Sequence, residues 1–485
     1  MALRDAGYEA YFAGGCVRDL LLSRVPEDFD VATSATPDVV LRMFPRTFAV
    51  GAHFGVVLVA TCGAADAEGP EPQVVTPAPP QVVTEVATFR SDGVYSDGRH
   101  PDEVKYTLSA AEDVRRRDFT INGLLLDPSC LLDPSCLDPS CLAPLRLGGG
   151  LAQARADLAE LRAAVRLSVI DHVGGLADLD ARVIRAIGPP ERRFEEDRLR
   201  LLRAVRFAAR FQFDIEPATF AATRTLAQRV HTVSRERVRD ELTKMLTEGH
   251  ARRAFELLDE TGLLKEVLPE VSRMKGVAQP PQFHPEGDVW VHTLLLLGQL
   301  EPGCPATLAW GALLHDVGKP STFRVAERIR FDGHVEVGVA IGAEICRRFR
   351  FSNDDTRQIL ALIENHMRFA DAPKMKASTL KRFFRLEDFD EHLALHRMDC
   401  LAAHGNLDIW NFVRERYQSI PEEAVRPRPL LTGRELIAEG YVPGAQFKQM
   451  LDTVEDAQLE GNITTEAEAL ALVKARFPRG CPPRG

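Results

Sequence analysis

The chain has 485 residues, 45% of them hydrophobic and 27% charged, with a net charge of −10 at neutral pH. This excludes a wholly disordered or collagen-like chain and predicts two to four domains with sizeable cores. No apolar run reaches the ~18 residues of a membrane span, and nine scattered cysteines are not a disulfide framework.

The N-terminus has charges and no long apolar stretch, so no signal peptide is expected and the default location is the cytoplasm. Net acidity weighs against a nucleic-acid partner. The charge is uneven, however: Arg182 to Arg253 holds 17 basic and 10 acidic residues. That segment is either an Arg-rich helical surface or a local nucleic-acid footprint.

Residues 1–126 mix helix and strand signals, with β-rich runs at Phe48–Ala60 and Val82–Phe89. Residues 63–81, rich in Pro, Ala and acid, read as a solvated loop. Residues 127–144 repeat DPSC; the spacing of Cys130, Cys136 and Cys141 is not that of a zinc site, and a surface loop is expected. Leu151–Ala164 reads as a short amphipathic helix. From Asp171 onward the pattern is helical: one helix over Glu195–Phe211, then Arg235–Leu246, Arg252–Glu260, Val289–Leu300, Ala306–Leu314, Val335–Phe349 and Asp354–His366. No strand alternation recurs after Ile187. The predicted class is α+β, an N-terminal sheet domain followed by a long all-α body.

Three N-terminal features carry chemistry. Gly14 and Gly15 precede a helix-like segment, Val17–Leu22, and would let backbone N–H groups approach an anion, although paired glycines also make ordinary turns. In Asp28-Phe29-Asp30, strand alternation puts both carboxylates on one face and Phe29 into the core. Paired carboxylates suit two magnesium ions beside a nucleoside triphosphate. Glu85 on a later strand either adds a third carboxylate or is a solvated strand-end residue. Arg115–Asp118 and Asn122 form a charged face, or bind triphosphate or ribose through Arg forks and the Asn amide.

The strings GGCVRD, DFD and RRDFTINGL, with Gly123 where alanine is usual, resemble the class II tRNA nucleotidyltransferase and bacterial poly(A) polymerase family of the DNA polymerase β superfamily. The likeness continues through DHVGGLADL with Arg182, Arg185 and Gly188, through EDRLR, and through RERVRDELTK. It implies a polymerase-β-like head. Asp28 and Asp30 would bind the catalytic magnesium ions, with Glu85 beside them. Gly14, Gly15, Arg18, Arg116, Arg117, Asp118 and Asn122 would hold the nucleotide. Asp197 and Arg200 would template the incoming base, accepting from the amino group of cytosine or adenine and donating to its ring nitrogen. At i, i+3 they would project from one helical face. Arg237, Glu241 and Lys244 read as braces between helices.

Further on, His284, His292, His315, Asp316, His334, His366 and Asp399, with the string HDVGKP, resemble an HD domain. The likeness implies a divalent-metal site at His292, His315, Asp316 and Asp399, which His334 and His366 would extend to two metals.

The expected organisation is a head over residues 1–147 with loop insertions at about 63–81 and 127–168, a helical neck over 169–270, an HD domain over 271–420 and a helical tail over 421–485. The expected activity is magnesium-dependent addition of C and A to the tRNA acceptor end from CTP and ATP. Poly(A) synthesis and HD phosphohydrolysis are the rivals, and no membrane partner is expected.

Overall fold

The computed structural model describes residues 1–48, 55–61, 82–93, 104–131, 162–163, 165–282 and 284–478. The 63–81 loop, most of the DPSC repeat including Cys136 and Cys141, and nearly all of Leu151–Ala164 lie outside the described residues. The chain forms two compact units: Met1–Met245 with Arg253–Val267, and Leu246–Arg252 with Leu268–Gly485. No helix among the described residues is long and apolar enough to cross a membrane.

The first unit is built on a mixed sheet. Its strands are β1 (Ala10–Ala13), β2 (Val31–Thr33), β3 (Thr47–Phe48), β4 (Val56–Thr61), β5 (Val82–Thr88), β6 (Leu124–Leu126) and β7 (Val169–Asp171). Their order is β3-β4-β5-β2-β1-β6-β7. Only β2 and β5 run parallel, with Val31 opposite Val86. Alternation puts Val57, Val59 and Val86 into a core with Leu3 and Val40. A second core joins Ala13, Ala32 and Leu125 to Phe89 and Val114. Helix α1 (Gly15–Leu21) follows β1 through Gly14, whose φ of 74° favours glycine.

Phe29 departs from the sequence expectation. The ladder starts at Val31, so strand alternation is not imposed on Asp28 to Asp30. Phe29 is 37% exposed and packs edge-on against Phe12, rather than entering the core.

Past β7 the chain is largely helical. Asp171 accepts backbone N–H groups from Val173, Gly174, Gly175 and Leu176, closing the turn that opens the next helix. Two-residue strands at Val183–Ile184 and Asp214–Ile215 pair in parallel, and a second two-residue pair, Arg324–Val325 with Ile329–Arg330, occurs in the second unit. Periodicity cannot detect strands that short. The helix expected over Glu195–Phe211 is two: α2 (Pro190–Glu196) and α3 (Arg200–Phe211). Asp197 between them has φ −137° and ψ 105°, and its carboxylate accepts the Leu199 N–H, competing with the helical ladder. Helix α4 (Arg235–Thr247) follows.

In the second unit, α5 (Val289–Leu297), α6 (Ala306–Leu314), α7 (His334–Phe349), α8 (Asn353–Asn365) and α9 (Phe389–Ala402) frame the HD residues: His292, His334 and Asp399 lie in α5, α7 and α9, His315 and Asp316 follow α6, and His366 follows α8. A cluster of Phe369, Phe383, Phe384 and Phe389 packs beside them. The tail has its own core around Leu436, Val454 and Val473.

Candidate active site and candidate metal centre

In the first unit the sequence-predicted residues converge. Gly14, Gly15, Arg18, Arg116, Arg117, Asp118, Asn122, Asp197 and Arg200 all line one cleft of about 440 Å³, together with Asp30. Asp28 and Glu85 are not in its lining. They stand close enough to Asp30 to act on it electrostatically. Partial burial, then Glu85 and Asp28, push the Asp30 carboxyl up to about 6, against the pull of Arg117. Glu85 is likewise raised by desolvation and by Asp28. Asp30 and Glu85 each come one residue before the first pair of the parallel β2–β5 ladder, Val31 opposite Val86. Mutually repelling, partly desolvated carboxylates are the donor set that a hard divalent cation neutralises.

The basic residues of the cleft are held by buried acids. Asp113 accepts from Nε and Nη2 of Arg116 and from Nη2 of Arg117, at 2.7–3.1 Å. A Cβ on Gly14 would stand 3.0 Å from Arg117 Nη1, so the glycine lets that guanidinium approach the backbone. Arg18 is buried: it forks onto Asp19 at 2.9 and 3.0 Å and donates to Asn122 Oδ1 at 2.6 Å. Its guanidinium also lies over the Phe211 ring, 4.6 Å from the centroid.

Asp118 is fully engaged within the protein. Oδ1 accepts from Phe119 N and Asn122 Nδ2, while Oδ2 accepts from Nε and Nη2 of Arg203, at 2.6–3.0 Å. Its acceptor sites are filled, so it shapes the cleft rather than offering a free carboxylate. Arg200 gives three donors to Arg193 O, Glu196 and Arg116 O. With five donors on a guanidinium, two stay available.

Sequence reasoning missed Asp113, Arg203, Arg206 and Arg210; the last three also line the cleft. The signal was there: from Arg200, arginines recur at steps of three or four, which is one face of α3. Arg237, read as a brace, also lines the cleft and donates to both oxygens of Asp197. Glu241 does brace, pairing with Arg206 at 2.7 Å with both side chains almost fully buried.

The second unit gathers the HD residues from α5, α7 and α9 and from the turns that follow α6 and α8. His292, His315 and Asp399 offer ligand atoms within 4.8 Å of one another, as do Asp316, His334 and His366. The ring nitrogens are oriented. Nδ1 of His315, His334 and His366 lies 2.7–3.0 Å from the carbonyls of Ala312, Phe331 and Ile363. Nδ1 of His292 lies 2.7 Å from Glu286 Oε1. A ring donating from Nδ1 keeps its lone pair on Nε2. Burial, reinforced by His315, pushes His366 down to about 4, which keeps it neutral. Nε2 of His315 and Oδ2 of Asp316 are buried and lie 3.2 Å from each other. These donors fit a divalent cation. The Lys319 ammonium, 2.6 Å from Asp316 Oδ2, partly neutralises the same carboxylate. Sequence reasoning missed Glu286, which also meets His284 at 2.9 Å.

Known families account for most of the chain. Residues 10–135 match the poly A polymerase head domain, 212–275 the probable RNA and SrmB-binding site of polymerase A, and 289–404 the HD domain. The CCA-adding enzyme of Lactobacillus helveticus is 34% identical over 474 residues, covering 96% of this chain and 93% of that protein. The CCA-adding enzyme of Lactobacillus johnsonii is 35% identical over 299 residues; there the chain spans 61% of the relative's length. Among solved structures, the Bacillus stearothermophilus CCA-adding enzyme in complex with CTP matches 98% of this chain and 96% of that one, with a TM-score of 0.64 and 25% identity. The Thermotoga maritima CCA-adding enzyme complexed with tRNA shares the fold, at 17% identity and a TM-score of 0.53.

Proposed function

The chain belongs to the CCA-adding enzyme family, and from that premise we propose that it adds C and A to the 3′ end of tRNA from CTP and ATP, releasing pyrophosphate. The observation that carries this reading is the basic cleft, where nine expected nucleotide-contacting residues meet Asp30. Arg116 and Arg117 face the triphosphate, and Asp113 limits their freedom. Asp28 and Asp30 would hold magnesium, with Glu85 as the adjoining carboxylate; ions bound there would lower the pKa of the primer hydroxyl and stabilise the leaving pyrophosphate. Asp197 accepts from the exocyclic amine of cytosine or adenine, and the spare donors of Arg200 reach the ring nitrogen. Uracil and guanine present the opposite polarity and are rejected. Most of the rate gain comes from positioning and charge stabilisation. The chain works in the cytoplasm, where reduced Cys16, Cys304, Cys346 and Cys400 persist.

Extension of tRNA primers ending before CCA, after C and after CC, with labelled CTP or ATP and magnesium, tests the reading. Extension of all three that stops after CCA is expected. Use of one nucleotide alone assigns a half-reaction, long A tails assign a poly(A) polymerase, and no incorporation sinks the reading.

A second activity is supported by two of the histidine–carboxylate groups of the HD region. His292, His315 and Asp399, and Asp316, His334 and His366, would hold divalent metal, which would supply an activated water for phosphoester hydrolysis. Glu286 orients His292, and Lys319 offsets part of the Asp316 charge.

A further inference from the structure

Asp197 owes its orientation to no regular element. It sits at the break between α2 and α3, with φ −137° and ψ 105°. Two partners define its carboxylate. The Leu199 N–H donates to Oδ1 at 3.1 Å. Arg237, forty residues along the chain on α4, donates from Nη2 to Oδ1 at 3.3 Å and to Oδ2 at 3.1 Å.

We propose that Arg237 is a positioning residue that sets base specificity by fixing the Asp197 carboxylate. The inference rests on the reading of Asp197 as acceptor for the exocyclic amine of the base. A carboxylate has about four lone-pair sites. Leu199 and Arg237 take three of them, leaving one on Oδ2. One acceptor site serves the single amino group at the pairing edge of cytosine or adenine. Held in place, it opposes the carbonyl that uracil or guanine presents there.

The energetics point to orientation rather than stability. The Arg237 and Asp197 side chains are 23% and 20% exposed. A partly solvated ion pair of this kind adds little to folding. Arg237 is itself well anchored, because Arg206 of α3 and Glu241 of α4 pair at 2.7 Å within the core of the same unit. Helix α4 thus delivers a guanidinium to a carboxylate that α2 and α3 leave unsupported.

The test is single-nucleotide addition to a tRNA primer, with kcat and KM measured for each of CTP, ATP, UTP and GTP. The wild type is expected to use CTP and ATP and to reject the others. In Arg237→Gln, the ratio of kcat/KM for CTP over UTP is expected to fall at least about tenfold, the scale of one charged hydrogen bond. The KM for CTP is expected to rise and the melting temperature to stay near that of the wild type. Arg237→Lys, a cation without the planar fork, is expected to give an intermediate ratio. An unchanged ratio with kcat lowered equally for all substrates would overturn the inference, as would a lower KM for CTP, which would make Arg237 a competitor of the base. If Arg237→Gln does not fold, Arg237→Lys decides, and a wild-type ratio in it rejects the inference. A wild type that uses no nucleotide sinks the base-reading role of Asp197 itself, and the inference with it.

Discussion

Gly123 has no room for a methyl group, because Val173 occupies the space: a Cβ on Gly123 would stand 2.7 Å from Val173 Cγ2. Val114 and Ile187 close the same space at 3.0 and 3.3 Å. This accounts for glycine in RRDFTINGL where alanine is usual. The backbone there, φ −93° and ψ 14°, is open to any residue, so the constraint is packing. Gly123→Ala is expected to destabilise the protein by about 1–3 kcal/mol, the cost of overpacking a core. Gly123→Ala with Val173→Ala should recover part of the loss in a urea melt.

The Arg206–Glu241 pair predicts an asymmetric result. Arg206→Met leaves the buried Glu241 carboxylate with only Arg203, at 4.0 Å, and should cost about 3 kcal/mol. Arg206→Met combined with Glu241→Leu should be less destabilised than Arg206→Met alone. Chemical denaturation of the two variants checks the order.

Asp118 sets an acid-sensitive contribution. Burial alone would raise its carboxyl, but Arg203 and Asn122 outweigh burial and hold it well below the ordinary range. A depressed folded value means the stabilisation is present above the unfolded value of about 3.9 and is lost as pH falls toward the folded one. Asp118→Asn should therefore be clearly less stable than wild type at pH 7, with the difference shrinking below pH 4. Urea melts at several pH values read this directly.

Chemistry at the two centres should separate by mutation. Asp28→Ala or Asp30→Ala should abolish nucleotide incorporation and leave any phosphoester hydrolysis intact. His315→Ala should do the reverse. Parallel primer-extension and phosphodiesterase assays on the same preparations decide it.

The paired HD groups predict metal stoichiometry. The Asp28→Ala, Asp30→Ala variant, loaded with manganese or nickel and then desalted, should hold two ions per chain by elemental analysis, both in the second unit. His334→Ala should remove one of them. Retention of both would place His334 outside the metal set.

Much of the site was legible in the sequence, because its residues fall in short strings with local geometry. GGCVRD is a turn running into a helix, and RRDFTIN leads from a helix end through a short helical turn, Thr120–Asn122, toward β6. Helical periodicity located α6 over the residues expected and the helices beginning near Arg235, Arg252, Val289, Val335 and Asp354 to within three residues, but it did not mark Phe389–Ala402, Asp408–Ser419, Ala445–Leu459 or Glu466–Arg476. The errors came where tertiary or local hydrogen bonding overrode period. Asp197 broke a helix that looked continuous by accepting the Leu199 N–H. Phe29 stayed half exposed because the ladder begins two residues later.

The sequence by itself determined which residue types stand at which spacing, and hence the family, the acceptor and donor chemistry of the cleft, and the HD ligand types. Only the tertiary structure decided the pairings. Asp118 is filled by Arg203, 85 residues away, and Asp197 is held by Arg237. Glu85 and Asp30 each come one residue before the β2–β5 ladder, and six HD residues fall into two groups of three. The physical reason is range. Periodicity and capping act over a few residues, whereas the partner of a charged group is set by which helices and strands pack together.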